Sequence, residues 1–135
     1  MSIVVGYDAS DSARAALGTA IDVAKAFGDD VHVVVAYEVN RLGGEVQDLA
    51  AALGERAQQI VKLANDQAAG LGAQIQSEVV AERAADALVQ VADRLDARMI
   101  VVGSRGEGPL RGAIIGSTPH KLMQLAERPL LVVPA

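Results

Sequence analysis

The sequence predicts an α/β fold with a parallel, doubly wound sheet, on three observations. Five short runs rich in Val, Ile and Leu alternate with four stretches of helical apolar spacing. Most of these runs are almost continuously apolar, as strands covered on both faces are. Hydrophobic residues make up 51% of the chain and aromatic ones only 2%, so the core must be aliphatic. No linker or composition shift interrupts the pattern, and residues 1–135 are expected to form one domain.

The first strand is expected over residues 2–7, where Ile3, Val4 and Val5 run into Gly6 and Tyr7. Ser10 suits the N-cap of the helix that follows. Ala13, Leu17, Ala20, Ile21, Ala24 and Phe27 mark one apolar face, and Gly28 sits where a helix stops. A second strand spans 31–37, and a polar loop with two glycines spans 38–44. The second helix runs from Val46 to Leu71, with Leu49, Leu53, Ala57, Ile60, Ala64 and Ala68 facing inward. Gly54 interrupts it at a cost of about 1 kcal/mol against Ala. Residues 73–80 alternate polar and apolar, which predicts a strand near a sheet edge with one partly wet face. The third helix covers 84–96, with Ala85, Leu88, Val89, Ala92 and Leu95 inward. Met99-Ile100-Val101-Val102 is the fourth strand. A fourth helix over 119–127 places Leu122, Met123 and Ala126 on the core, and Pro119 suits its first position. The fifth strand is Leu130–Val133, between two prolines.

Composition narrows the chemistry. Without cysteine there is no disulfide, Cys-based zinc site or thiol catalysis. The first residues, MSIVVGYDAS, lack the basic and long apolar regions of a signal peptide, and no apolar run approaches the ~20 residues of a membrane span. A cytoplasmic protein that does not engage a membrane is the expectation. A formal net charge of −5 argues against bulk-charge binding of nucleic acid, but not against a small phosphorylated ligand.

In doubly wound sheets ligands bind beyond the carboxyl ends of the strands, where strand order reverses. Asp8, the loop after Ala36, and the stretch that begins at Gly103 all fall on that edge. The stretch reads GSRGEGPLRGAIIGST. It has no Gly-Lys pair and is not a P-loop; Gly106-Glu107-Gly108 is followed by Arg111 where a dinucleotide fingerprint needs Gly. It shows Gly103, two residues, Gly106, nine residues, then Gly116-Ser117.

That spacing, with VVGYDAS near the start and LLVV near the end, resembles the universal stress protein family over essentially the whole chain. The glycine spacing matches the family's ATP-binding pattern at every position. The resemblance implies a sheet of order 3-2-1-4-5 with the nucleotide between strands 1 and 4. By position, Asp8 corresponds to the acidic residue at the base and ribose end, walled by Gly6 and Tyr7. Ala36 would offer backbone groups to the base, and Val102 and Gly103 would line the ribose side. Arg105, Gly106, Gly116 and Ser117 would hold phosphates, with Thr118 beside them. The chemistry is consistent with that: amides at a helix start favour an anion, and Arg105 supplies a charged fork.

Three positions depart from the pattern. Glu107 adds negative charge to the loop, Pro119 removes a backbone donor, and Ala81-Glu82-Arg83 stands where many relatives have Gly-x-Pro. Simpler roles are also open. Asp8 and Ser117 suit helix caps, and Arg111 a solvated loop charge. Tyr37 and His32 suit packing, Met123 suits the core, and His120 has no catalytic partner in sequence.

The expected function is that of a cytoplasmic, ATP-binding stress-response or regulatory protein, in which nucleotide, with or without Mg2+, biases conformation or partner binding. No nucleophile–base constellation is legible, so a slow ATPase or self-phosphorylation at Ser117 or Thr118 is the alternative, not a dedicated enzyme. A binding module for AMP or cAMP is a third reading. An apolar edge strand needs cover, and the family commonly pairs strand 5 with its twofold mate, so a homodimer through Leu130–Val133 is expected.

Overall fold

The computed structural model describes residues 1–38, 46–105 and 117–135. The element order is β1 (Ser2–Gly6), α1 (Asp11–Phe27), β2 (Asp30–Ala36), α2 (Val46–Gly70), β3 (Gln76–Val80), α3 (Ala84–Leu95), β4 (Met99–Gly103), α4 (Ser117–Leu125) and β5 (Leu130–Val133). All five strands are parallel, in the order β3-β2-β1-β4-β5. This is the order the family resemblance implies, and β3 is an edge strand as its alternation predicts.

β1 lies at the centre. Val4 faces His32 of β2 on one side and Ile100 of β4 on the other. Alternation along the strands then divides the core in two. Ile3, Val5, Val31, Val33, Val35 and Val101 pack with Leu17 and Ile21 of α1 and with Ala57, Ala64 and Ala68 of α2. Val4, Val34, Ile100 and Val102 pack with Leu88 and Val91 of α3 and Leu122 of α4. Helices therefore cover both faces, α1 and α2 on one, α3 and α4 on the other.

Local signals set the helix ends. The Ser10 side chain accepts from the Ala13 amide at 3.2 Å, the N-cap bond the sequence predicts. Gly28 takes the left-handed conformation, φ 71°, and closes α1. Asp96 does the same for α3 at φ 48°, held by Arg128 at 3.1 Å.

Several apolar positions expected inside are exposed. Phe27 is 54% exposed, because it is the last residue of α1 and overhangs the amino-terminal rim; the Arg98 guanidinium covers one face of its ring at 4.1 Å. Met123 is 59% exposed, because nine-residue α4 turns only the Pro119 and Leu122 stripe fully inward. Leu49, in the first turn of α2, and Leu71, just past its end, are exposed as well. β3 begins at Gln76 and not at residue 73, although Ile75 still packs on the first core. α4 starts two residues earlier than expected, at Ser117.

His32 is buried in β2, with its Nε2 3.0 Å from Glu78 Oε1, so it is packed as expected. Burial pushes the Glu78 carboxyl up, but hydrogen bonds from His32 and Arg94 outweigh that and hold it below its ordinary 4.5.

Ala9 stands just after β1 with φ 63°, a left-handed conformation that costs an L-residue about 1–2 kcal/mol. Ala9→Gly relieves that cost and adds a smaller opposing one, because Gly raises the entropy of the unfolded chain. It should raise stability by about 0.5–1 kcal/mol in urea denaturation. An unchanged or lower midpoint would show that Ala9 is not strained.

Candidate functional site

The carboxyl edge of the sheet gathers two groups of side chains. The first surrounds the start of α1. Asp8 leaves β1 and its Oδ1 accepts from the Ser10 amide at 3.0 Å, an Asx-turn that leads into α1, while the helix cap itself falls to Ser10. Tyr7 turns away from the edge. Its ring is buried in the α1/α2 core and its hydroxyl donates to Gln67 Oε1 at 3.3 Å. Burial pushes the Tyr7 phenol above its ordinary 10.0; Arg14 opposes the shift and Asp8 adds to it.

On the adjacent strand, Gly103 ends β4 directly against α1. A Cβ there would stand 2.6 Å from the Ser12 carbonyl carbon and 2.7 Å from its Cβ. No side chain fits, which is why this position needs Gly. Two residues on, Arg105 is tied to the same helix: its amide donates to Ser12 Oγ at 3.3 Å and its carbonyl accepts from the Ser12 hydroxyl. The Arg105 side chain is exposed.

The second group lines a cleft of about 410 Å³, a size suited to a small molecule. Ala36, Tyr37 and Glu38 come from the end of β2. Glu82, Arg83, Ala84 and Ala85 come from the start of α3, and Ser117, Thr118 and Lys121 from the start of α4. Glu38 pairs with Arg83 at 3.3 Å, and Glu82 accepts from the Gln90 side-chain Nε2 at 2.5 Å. Lys121 has no partner among the described residues. Among the described residues the four charged side chains of the lining cancel in sum, and the helix termini add to the field. Both α3 and α4 present their amino ends here, and Arg83 makes no side-chain cap to the first turn of α3. First-turn amides have no partner within their own helix, and with the two helix dipoles they favour an anion at such a place.

Of the residues expected from the sequence, Ala36, Ser117 and Thr118 line this cleft together. Asp8, Gly103 and Arg105 gather at the start of α1. Gly6 leaves room for Leu88, whose Cδ1 would lie 2.9 Å from a Cβ, and Val102 is buried in the α3/α4 core beside it. Gly106 and Gly116, with Glu107 and Arg111, lie outside the described residues. The sequence reading missed Ser12, Arg83 and Lys121 as site residues. Lys121 was signalled by its spacing, four residues after Ser117 on one helix face. Ser12 carried no signal, since its partner is 93 residues away.

A family model described as "Universal stress protein family" matches residues 1–134. A universal stress protein of Thermus aquaticus is 33% identical over 134 residues, covering 98% of this chain and 97% of its own. A universal stress protein structure from Archaeoglobus fulgidus superposes with a TM-score of 0.78 at 28% identity, covering 98% of each chain. A universal stress protein solved in complex with cAMP gives a TM-score of 0.76 at 29% identity, covering 98% of this chain and 96% of that one.

The contact between α1 and β4 yields a paired prediction. Gly103→Ala forces a Cβ into the Ser12 backbone and should destabilise by about 1–3 kcal/mol. Gly18→Ala, in the middle of α1 with nothing within 4 Å of its Cβ, should stabilise by about 0.5–1 kcal/mol. Thermal and urea denaturation of both variants check it; a Gly103→Ala variant no less stable than wild type would refute the close approach.

Proposed function

This chain belongs to the universal stress protein family, and we propose from that premise that it binds an adenine nucleotide at the carboxyl edge of its sheet, between β1 and β4. The carrying observation is the cleft where the amino ends of α3 and α4 converge over Ala36. The base lies at the Ala36 end and meets its backbone groups. Asp8 takes the ribose end, beside the backbone of Gly6, Tyr7, Val102 and Gly103. The phosphates meet Ser117, Thr118 and the exposed guanidinium of Arg105. Lys121 adds a cation on the same wall. Gly106 and Gly116 keep the phosphate role that the family pattern gives them.

ATP, with or without Mg2+, is the ligand this reading favours, acting in the cytoplasm as a signal that biases conformation or partner binding. Hydrolysis is no part of it. AMP or cAMP is the second reading, favoured by the similar protein solved with cAMP and by the loss of one amide donor at Pro119. The same reading pairs β5 with its twofold mate. All four residues of Leu130–Val133 are only half-buried at the sheet edge, and Met123 and Leu125 of the neighbouring α4 are exposed. A second copy would cover both.

Native mass spectrometry of the freshly purified protein reads both parts of the proposal. The expected species is a dimer carrying an adenine nucleotide on each chain, with occupancy falling in Ser117→Ala. A ligand-free protein that also fails to take up added ATP, AMP or cAMP would overturn nucleotide binding. A monomer at micromolar concentration would overturn the β5 pairing.

A further inference from the structure

Ser12 is a buried hydroxyl that neither caps α1 nor faces solvent. It is 2% exposed at the second position of the helix, and the cap is already supplied by Ser10. Its oxygen serves a different chain segment. It donates to the Arg105 carbonyl and accepts from the Arg105 amide, so donor and acceptor are both spent on one residue's backbone.

The position of that residue gives the bond its meaning. Sheet pairing holds β4 as far as Gly103, opposite Val133, and the Ser104 amide still donates to the Val133 carbonyl at 2.9 Å. Arg105 is the first residue beyond this support. There the Ser12 hydroxyl replaces a strand neighbour. The Gly103 contact seats the same serine, because the backbone of β4 lies directly on Ser12. Helix and loop are thus registered at two successive points, and the direction in which Arg105 leaves the sheet is fixed. An exposed arginine on a fixed backbone gives up less conformational freedom when it closes on an anion.

We propose that Ser12 is a positioning residue for phosphate recognition: by holding the Arg105 backbone it aims the Arg105 guanidinium at the phosphates of the nucleotide. This rests on the nucleotide-binding reading above. Ser12 touches no ligand itself. Its effect passes through Arg105 and is confined to ligands that carry phosphate.

The test compares ATP and adenosine binding by calorimetry for wild type, Ser12→Ala, Arg105→Ala and the double variant. Ser12→Ala should weaken ATP about tenfold, the worth of one charge-assisted contact, and leave adenosine unchanged. Added to Arg105→Ala it should cost nothing further. Equal losses for ATP and adenosine, or an additive double variant, would make Ser12 a structural residue only. An unchanged ATP affinity in Ser12→Ala, with wild type binding normally, would overturn the positioning role alone. Failure of wild type to bind either ligand would overturn the nucleotide reading and the positioning role with it. If Ser12→Ala does not fold, Ser12→Cys, a somewhat larger side chain with a much weaker hydrogen bond, carries the same comparison.

Discussion

Ile3, Val4 and Val5 of β1 expose no surface, and the other elements are laid against them in order. A strand this apolar is stable only when both faces and both edges are covered. Each such side chain gains about 1.5–3 kcal/mol by leaving water. The chain first covers β1 on one side, through α1 and β2, and extends that side with β3. It then crosses to the other side with β4 and β5. That reversal puts α1 and α2 on one face and α3 and α4 on the other. The helices that follow β1 and β4 lie on opposite faces as a result, and in such sheets ligands bind at the carboxyl edge between those two strands.

Two arrangements make that edge more than a gap. At the α1 side, Gly103 and Ser12 bring helix and strand closer than any side chain at 103 would allow, so the loops after β1 and β4 are held in one register. At the α3/α4 side, acids and bases balance while two helix amino ends stay directed at the same space. Polarity there comes from backbone and not from a basic patch. On the proposed reading, this is how a chain with a net charge of −5 would take a small anion.

The sequence made legible what depends on short-range patterning. β1, the Ser10 cap and the Gly28 stop follow from local physics. The edge position of β3 showed in its alternating polarity, because an edge strand keeps a wet face. Periodicity misplaced Phe27, Leu49, Leu71 and Met123, since it marks a face and does not say how far the sheet reaches beneath it. Helix ends overhang the sheet, and three of these four lie at or near ends. In the site, Ala36, Ser117 and Thr118 came from the family resemblance and do share a cleft. Ser12 and the Glu38–Arg83 pair were not, because each joins segments remote in sequence with no motif to announce it.

The central claim is that nucleotide binds at this carboxyl edge through both groups of residues. Backbone-amide NMR during an ATP titration tests it most directly. Shifts should concentrate at residues 8–12, 36–37, 103–105 and 117–121, with Gln76 and Ser2, at the opposite ends of their strands, left unmoved. Perturbations centred on that opposite end, or on the outer face of α2, would contradict the account.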